Sequence, residues 1–530
     1  MSVASELRML ARFAGSLRGF LGDPLTLDQA RAEIRRRLDQ REEHFLRIVR
    51  RGVYDHAQSP YLPLLRAARC EYGDLERAVR TRGLDAALLD LRREGVYVTF
   101  EEFKGREPII RPGIELHARD RDFDNPYLEP DYYSETSGST GAGTRVPHEL
   151  SHLAVQAVAE LVTDDAHDVL ECPRAVWRGI LPDGSGINTI LRSARYGRPF
   201  DRWFAQELPT WWTAASKYTL ATYGVITMAC ASGVRIPWPE RVELEDARVV
   251  ARWMERTLRE RGRCLVCTIA SRALRVCVAA ERDGVDLTGG WFRVGGEPFS
   301  TAKHTGIERA GARAYATYGF VELGRVGMGC PRSAEPNDVH LVTSMCALVQ
   351  HARELPSGVE VPTFLFTSLS PAGPKILLNA ECDDTGIVDT RQCGCPLGAL
   401  GLTTHLRRMR SFRKLTTEGV TVLGSHMERI LEEVLPSRFG GSALDYQLLE
   451  EEDADGQTRL ELLISPSVRL EDASAVAPVI LQELDKIGAG LRVASTIWAQ
   501  ARSIRVRRAE PLRTRRGKLM SMQSAKRVKT

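Results

Sequence analysis

The chain has 530 residues, of which 43% are hydrophobic and 27% are charged, as in ordinary globular proteins. Its 73 basic and 69 acidic residues leave a net charge of +4, which is too small to indicate nucleic-acid binding. The 11 cysteines favour a reducing compartment over a disulfide scaffold, and no apolar run reaches the ~18 residues of a membrane span. We therefore expect a cytoplasmic protein with no membrane span and no nucleic-acid partner.

The first 130 residues predict a mainly helical layer. Thr26 and Gln29 form a capping box ahead of apolar residues at helical spacing, which predicts one long amphipathic helix over 26–52. Residues 64–104 predict short helices, with a short strand at 96–100 among them. We assign no chemistry to this layer.

A glycine- and hydroxyl-rich segment follows at 134–144. Its three glycines let the backbone approach a ligand closely, and its six hydroxyl side chains can donate hydrogen bonds to anionic oxygens. Such a set of donors suits a polyphosphate, although a flexible linker has the same composition. The segment lacks the Gly-Lys-Ser/Thr ending of a Walker A loop. A helix predicted over 151–168 would favour negative charge at its N-terminus.

Two further clusters occupy the middle of the chain. An aromatic group, which favours a place in the core, consists of Trp203, Phe204, Trp211 and Trp212. The CxxC pair Cys264 and Cys267 lies in an apolar context, which indicates a buried strand rather than a redox or metal site.

Two short motifs lie at 294–298 and 318–322. The first, which contains Gly295, Gly296, Glu297 and Pro298, predicts a turn after a strand at 291–293. In the second, Tyr318 offers a flat ring for stacking on a base, and Glu322 offers a hard oxygen ligand for Mg²⁺. A strand end followed by a turn would explain the Tyr-Gly pair but not the glutamate.

Three later motifs complete the series. The run 375–383 ends in Asp383, an ionised acceptor suited to hydroxyl groups. Arg410-Ser411-Phe412 comes next, and Lys518 ends a Thr-x-x-Gly-Lys sequence near the end of the chain. A solvated basic tail is the alternative interpretation of that last motif.

In this order the motifs resemble those of the adenylate-forming (acyl-AMP) ligase superfamily, in its phenylacetate–coenzyme A ligase and acyl-protein synthetase-like branch. The resemblance implies that the glycine-rich loop binds the phosphates of ATP, with Thr140 also catalytic. The loop residues are Ser137, Gly138, Ser139, Thr140 and Gly141.

The resemblance assigns the other motifs to the same nucleotide. The turn Gly295, Gly296, Glu297 and Pro298 would lie against adenine, and Tyr318 with Gly319 would contact the base. Glu322 would be a catalytic magnesium ligand, and Asp383, chosen over Asp384 on spacing alone, would bind the ribose hydroxyls. Arg410 would mark the hinge between domains, where Phe412 replaces the aspartate of the family pattern. Lys518 would neutralise the charge that develops at the α-phosphate.

The implied fold is α/β, with a large layered N-terminal domain at 1–409 and a small mobile α+β domain at 410–530. Within the small domain we expect a strand at 460–464 and a helix at 478–487 with its proline in the first turn.

The implied activity is ATP-dependent conversion of a carboxylic acid to an acyl adenylate, followed by transfer to a thiol, with coenzyme A as the expected co-substrate. The aromatic cluster would then be an apolar wall of an acyl pocket, which favours an aromatic or other apolar acid. Two alternatives stay open: transfer to a carrier-protein or protein cysteine thiol, and a catalytically silent binding or assembly protein. A homodimer is also left open.

The chain further carries a Cys-x-Cys pair downstream of a cysteine and a histidine. By spacing alone, buried free cysteines would be the commoner outcome. Relatives in the same branch bind a structural zinc through a similar set, so the resemblance implies a closed tetrahedral zinc site of Cys330, His340, Cys393 and Cys395.

Overall fold

The computed structural model describes residues 3–135, 145–181, 183–205, 216–296, 299–354, 360–411, 416–417, 420–421, 424–452, 458–487, 495, 498–499, 504–513 and 519–524. The α-helices of this part are α1 (Val3–Gly22), α2 (Leu27–Asp39), α3 (Arg41–Val49), α4 (Tyr61–Ala67), α5 (Tyr72–Arg82), α6 (Leu84–Arg93), α7 (Phe100–Phe103), α8 (Leu150–Ala166), α9 (Ser185–Arg195), α10 (Ser216–Ala231), α11 (Ala247–Arg261), α12 (Ala270–Asp283), α13 (Thr301–Arg309), α14 (Pro396–Ala399), α15 (Gly424–Arg429), α16 (Leu435–Phe439) and α17 (Val476–Ile487).

The strands of the same part are β1 (Ile109–Arg111), β2 (Ile114–Leu116), β3 (Tyr132–Glu135), β4 (Arg145–His148), β5 (Arg174–Trp177), β6 (Arg202–Ala205), β7 (Pro239–Arg241), β8 (Cys264–Thr268), β9 (Gly290–Gly295), β10 (Arg313–Phe320), β11 (Gly324–Gly329), β12 (Val339–Leu341), β13 (Cys346–Glu354), β14 (Glu360–Ser368), β15 (Ala380–Thr390), β16 (Thr404–Ser411), β17 (Thr416–Thr417), β18 (Val420–Thr421), β19 (Tyr446–Glu452), β20 (Thr458–Ile464), β21 (Ile504–Arg508) and β22 (Met522–Ser524).

A 12-stranded sheet organises the larger part of the chain, in the order β13-β14-β15-β16-β12-β11-β10-β9-β8-β5-β6-β7. The six strands from β7 to β10 are mutually parallel, whereas pairing is antiparallel from β10 through β11 to β13. The parallel half is built from strand–helix units whose strands are buried, as in β8, where all five residues are buried. Pairing therefore changes direction at β10 and β11, which is where the Tyr318 motif lies.

A second, four-stranded sheet has the order β21-β20-β19-β22 and packs its own apolar cluster against α17. The predicted α/β class is confirmed, as are the strand at 460–464 and the helix at 478–487 with Pro478 in its first turn. The predicted domain boundary at 409/410 falls inside β16, which continues to Ser411. That boundary stays a prediction.

The helix predicted over 26–52 is two helices. The capping box of Thr26 and Gln29 is present as predicted, but α2 ends at Asp39 and α3 begins at Arg41. The apolar pattern is interrupted between Leu38 and Phe45, and the two halves bury their apolar faces in different clusters. Because each half packs against a different partner, one continuous helix would leave one face exposed.

The strand predicted at 96–100 is also wrong. Val98 forms only an isolated bridge with Ala380, and Thr99 is the N-cap residue of α7. The Thr99 hydroxyl accepts a hydrogen bond from the backbone N–H of Glu102 at 3.3 Å, and the Glu102 carboxylate accepts one from the N–H of Thr99 at 2.8 Å. This capping box outweighs the strand preference of the β-branched residues.

Candidate functional site

The turn after β9 requires glycine at two positions. Gly295 pairs with Thr317 of the parallel neighbour β10, and a Cβ at Gly295 would lie 2.7 Å from the Thr317 carbonyl oxygen. Gly296 has a φ of +92°, which side chains rarely tolerate. Backbone atoms of the turn can therefore approach a ligand closely. The predicted partners Glu297 and Pro298 lie outside the described residues.

The Tyr318 motif occupies the end of β10 and the turn that follows. The Tyr318 hydroxyl donates a hydrogen bond to Oδ2 of Asp384 at 2.7 Å, and burial and that carboxylate together raise the pKa of Tyr318 well above its usual value. The ring therefore has a fixed position beside the first residues of β15. Gly319 continues β10 toward the turn, and its predicted contact with the base stays a prediction.

Asp384 contacts this motif through the hydrogen bond to Tyr318. The preceding residue, Asp383, is the one that spacing favoured, and its side chain lies outside the described part. Its predicted role as ribose ligand therefore stays a prediction.

Glu322 lies in the turn between β10 and β11, and its carboxylate forms an ion pair with Lys104 at 3.0 Å. Both side chains are largely buried, with relative exposures of 12% for Glu322 and 15% for Lys104. Lys104 directly follows α7, in the layer to which the sequence assigned no chemistry. Nothing in its local sequence distinguishes it from surface lysines, because its partner is 218 residues away.

A cavity of about 200 Å³ opens beside the Gly295 turn and the Tyr318 motif. The first turns of α9, the N-terminal end of α12 and the start of β11 provide its other walls. The described residues that line it are His148, Gln156, Arg178, Gly179, Asp183, Gly184, Ser185, Asn188, Thr189, Arg192, Ile269, Arg272, Gly295, Gly296, Thr317, Tyr318, Gly319, Phe320, Val321, Gly324 and Arg325.

The phosphate-loop prediction falls between the two strands of a hairpin. Strands β3 and β4 pair from Tyr132 with His148 to Glu135 with Arg145, and His148 at the end of β4 lines the cavity. The segment 136–144 lies outside the described residues, so the predicted roles of Ser137, Gly138, Ser139, Thr140 and Gly141 are not tested.

The aromatic cluster is part of the core where it is described. Trp203 and Phe204 are fully buried in β6, and the Trp203 indole donates a hydrogen bond to the carbonyl of Arg178 at 3.1 Å. Neither side chain lines the cavity, so the core interpretation holds for these two residues. Trp211 and Trp212 lie outside the described part. Cys264 and Cys267 are buried in β8 as predicted, and burial raises the pKa of Cys264 to about 12.

Arg410 lies in β16, where it pairs with Thr385 of β15, and its side chain lies outside the described part, as does all of Phe412. Lys518 also lies outside, but its neighbour Leu519 is buried against Leu274 of α12. The same helix contributes Arg272 to the cavity wall. Leu519 therefore packs on α12, the helix whose N-terminal end reaches the cavity.

The four predicted zinc ligands converge. One ligand atom from each of Cys330, His340, Cys393 and Cys395 lies within 4.8 Å of the others. Nε2 of His340 is 3.1 Å from the Cys395 sulfur and 3.7 Å from the Cys393 sulfur. Nδ1 of His340 is 2.6 Å from the Leu402 carbonyl oxygen, a contact in which Nδ1 donates.

These contacts fit a bound metal ion. A proton on Nδ1 leaves Nε2 of His340 as the lone-pair donor that faces the three sulfurs. Gly394, between the two cysteines, has a φ of +72°, which lets the Cys-x-Cys turn direct both thiols to the same point. Three thiolates and one imidazole match the closed tetrahedral preference of Zn²⁺.

Comparisons with known proteins find distant similarities to solved structures. No family model and no curated protein matches the chain. A 2-hydroxyisobutyryl-CoA ligase, solved with 2-HIB-AMP and CoA, is 12% identical over 92% of this chain and 90% of its own, with a TM-score of 0.40. The anthranilate CoA ligase AuaEII, in complex with anthranoyl-AMP, is 13% identical over 73% of this chain and 65% of its own, with a TM-score of 0.44.

A third similar structure is acetoacetyl-CoA synthetase from Streptomyces lividans, 13% identical over 78% of this chain and 56% of its own, with a TM-score of 0.43. Two of the three are named as CoA ligases and the third as a CoA synthetase. Similarity at this level transfers neither a family nor any residue's role to this chain. Within the described part, no helix combines the length and apolar character needed to cross a bilayer.

Proposed function

We propose that this protein activates a carboxylic acid with ATP and passes the acyl group to a thiol. The observation that carries the proposal is the meeting of motifs from distant parts of the chain. The Gly295 turn and the Tyr318 motif line one cavity, and Asp384, 66 residues beyond Tyr318, is hydrogen-bonded to it. This arrangement supplies a close backbone approach, a flat ring and an ionised acceptor, the groups that a nucleoside requires.

In the first step, a carboxylate oxygen of the acid attacks the α-phosphorus of ATP. The bond from that phosphorus to the bridging oxygen breaks, and pyrophosphate leaves with the electron pair. The acid is already ionised at neutral pH, so the step needs no general base. Catalysis consists of positioning and charge stabilisation, for which Thr140, Glu322 with Mg²⁺, and Lys518 are the proposed groups.

In the second step, a thiolate sulfur attacks the acyl carbon and AMP leaves. We take coenzyme A as the thiol, and a carrier-protein or protein cysteine is the alternative acceptor. The two are separated by supplying each thiol to the adenylate-loaded protein and measuring AMP release.

ATP–pyrophosphate exchange tests the first step. With a suitable acid, the wild-type chain should incorporate labelled pyrophosphate into ATP, and Lys518→Ala should lower the rate by about 100-fold or more, the scale for a charge-stabilising group. Lys486→Ala is the control, because Lys486 pairs with Glu483 on the surface of α17. Exchange at the wild-type rate in Lys518→Ala would remove Lys518 from the mechanism, and no exchange with any acid would contradict the proposal.

We also propose that Cys330, His340, Cys393 and Cys395 hold a structural Zn²⁺. The ion would join the segment after β11 to the segment after β15, and both strands lie beside the proposed nucleotide site. With all four positions taken by protein ligands, it would stabilise the fold and take no part in the reaction.

A further inference from the structure

The wall of the cavity carries an excess of positive charge. Its described lining residues include four arginines and one carboxylate, that of Asp183. His148 adds no charge near neutral pH, because burial and the nearby Arg192 lower the pKa of His148 to about 4. Asp183 is engaged elsewhere: its Oδ1 accepts a hydrogen bond from the backbone N–H of Ser185 at 2.9 Å. Asp183 therefore pairs with the first backbone N–H of α9, and the N-terminal turn of this helix also faces the cavity.

Behind the wall, the described carboxylates are each shared by more than one arginine. Glu160, fully buried in α8, accepts hydrogen bonds from Nε of Arg192 and from Nη1 of Arg325, the latter at 2.7 Å. Its other oxygen lies 3.2 Å from Arg293. One carboxylate thus serves three arginines. Although burial opposes ionisation, these arginines lower the pKa of Glu160 to about 2, so the carboxylate is charged.

Asp164 is the second internal carboxylate, and it is also shared. Nη1 of Arg174 lies 3.0 Å from Asp164, and Nη1 of Arg293 lies 2.9 Å from the same carboxylate. Apart from Arg272, the described residues of the wall and of this network include five arginines and three carboxylates. The five are Arg174, Arg178, Arg192, Arg293 and Arg325. Among these described residues the arginines exceed the carboxylates by two, in a largely buried environment where an unmatched charge is costly.

Arg325 and Arg178 show the effect of this excess. Burial first, and then repulsion from Arg192, Arg293 and Arg178, lowers the pKa of Arg325 to about 9. Arg178 donates to the carbonyls of Thr268 at 2.7 Å and Gly295 at 3.2 Å, and within the described residues its Nε has no hydrogen-bond partner. An anion bound in the cavity would relieve both conditions.

We propose that the cavity takes a carboxylic acid that carries a second carboxylate, in place of the aromatic or apolar acid suggested by the aromatic cluster. One carboxylate would react at the nucleotide, and the other would lie among Arg178, Arg192 and Arg325. The inference rests on the proposed function, since it names the substrate class of the same site.

The test compares the binding of acids that differ in one charge. Calorimetric titration of the full chain would use glutarate and its monoamide, then terephthalate and 4-carbamoylbenzoate, with butyrate as the apolar reference. We expect each diacid to bind about 10-fold or more tightly than its monoamide, the scale of one charge-assisted contact in a buried site. Equal binding of diacid and monoamide would overturn the proposal.

Variants locate the second carboxylate. Arg325→Gln should remove most of the preference for the diacid and leave monoamide binding unchanged, and Arg325→Lys should retain part of the preference. Glu160 keeps Arg192 and Arg293 in both variants, which supports folding, and thermal melting would check it. Arg263→Gln is the matched control: Arg263 is a partly exposed arginine paired with Asp168 and distant from the cavity lining. An unchanged preference in Arg325→Gln would contradict the assignment.

The arginines could instead serve the phosphates of ATP, and titration of ATP into the same variants decides this. We expect Arg325→Gln to change ATP binding by less than about threefold; a larger loss for ATP than for the diacid would overturn the proposal. Exchange assays separate the two claims. Pyrophosphate exchange with butyrate but not with glutarate would contradict the diacid proposal and would support the ligase activity. Tight, Arg325-dependent binding of glutarate without pyrophosphate exchange for any acid would support the diacid site and contradict the ligase activity.

Discussion

The Tyr318 hydroxyl and Oδ2 of Asp384 are 2.7 Å apart, and this hydrogen bond joins the end of β10 to the first half of β15. The bond therefore links β10, where strand pairing changes from parallel to antiparallel, to β15 in the antiparallel half of the sheet. It also fixes the ring that we propose as the stacking surface for adenine. A carboxylate that holds this hydroxyl is in place to accept a ribose hydroxyl with its remaining lone pairs.

The first prediction separates the two adjacent aspartates. Asp384→Asn should weaken ATP binding by about 10-fold, because it replaces a charged acceptor of hydrogen bonds by a neutral one. Asp383→Asn is the matched control, and we expect it to have a smaller effect. Titration of ATP into both variants measures this. A loss confined to Asp383→Asn would restore the assignment based on spacing.

The second prediction concerns the pair of Lys104 and Glu322. Lys104→Met leaves a largely buried carboxylate without its cation, which should lower the free energy of unfolding by about 1–3 kcal/mol. Mg²⁺ with ATP should restore part of this loss if Glu322 holds the ion, because the metal replaces the missing charge. Thermal melting with and without Mg·ATP measures both effects. Lys486→Met, on an exposed pair, is the control; equal recovery in both variants would remove Glu322 from metal binding.

The third prediction concerns the metal. Protein purified without chelator should contain about one zinc per chain, and Cys395→Ala should lose it, because three remaining ligands hold Zn²⁺ far less tightly. Elemental analysis measures the content, and chelation should lower the melting temperature of the wild type. Cys346→Ala is the control, since Cys346 is buried in β13 away from the four ligands. Zinc content near zero in the wild type would refute the site.

The fourth prediction is a pH dependence of stability that arises from His152. Burial, followed by repulsion from His148, Arg192 and Arg37, lowers the pKa of His152 to about 3, against 6.5 for the unfolded chain. Between those values the unfolded state binds one proton more than the folded state, so this contribution is complete above pH 6.5 and is lost as pH falls toward 3.

Replacement of His152 should therefore make the free energy of unfolding depend less steeply on pH. Between pH 6 and pH 4, His152→Gln should lose about 1.4 kcal/mol less per pH unit than the wild type, the value for one proton. Urea unfolding at several pH values measures the slope. His117→Gln is the control, because His117 is exposed. Parallel curves for wild type and His152→Gln would contradict the buried, neutral state of His152.

Local patterns predicted the elements that depend on neighbouring residues. The capping box at Thr26, the buried strand of Cys264 and the turn at Gly295 each follow from a few adjacent side chains, and each is present. The break at Gln40 and the start of α7 at Thr99 were missed, because packing partners far along the chain decide the first and a competing capping box decides the second.

The residues of the candidate site also fall into those with a local sequence motif and those whose partners are distant in sequence. The Tyr318 motif has a local signature, whereas the set of Cys330, His340, Cys393 and Cys395 came from the resemblance, and the four side chains do converge. Lys104 and the arginines of the cavity were not predicted, because their contacts are with partners that are distant in sequence. Arg325 and Glu160, for example, are 165 residues apart and meet only through the packing of α8 on β11.

The most direct test of the central claim is to follow the oxygen that the acid transfers. An acid that supports exchange would be labelled with ¹⁸O in its carboxylate and incubated with ATP, Mg²⁺ and the thiol. Attack at the α-phosphorus predicts that the released AMP carries one ¹⁸O in its phosphate and that pyrophosphate carries none. Label in inorganic phosphate, or AMP free of label, would contradict adenylate formation.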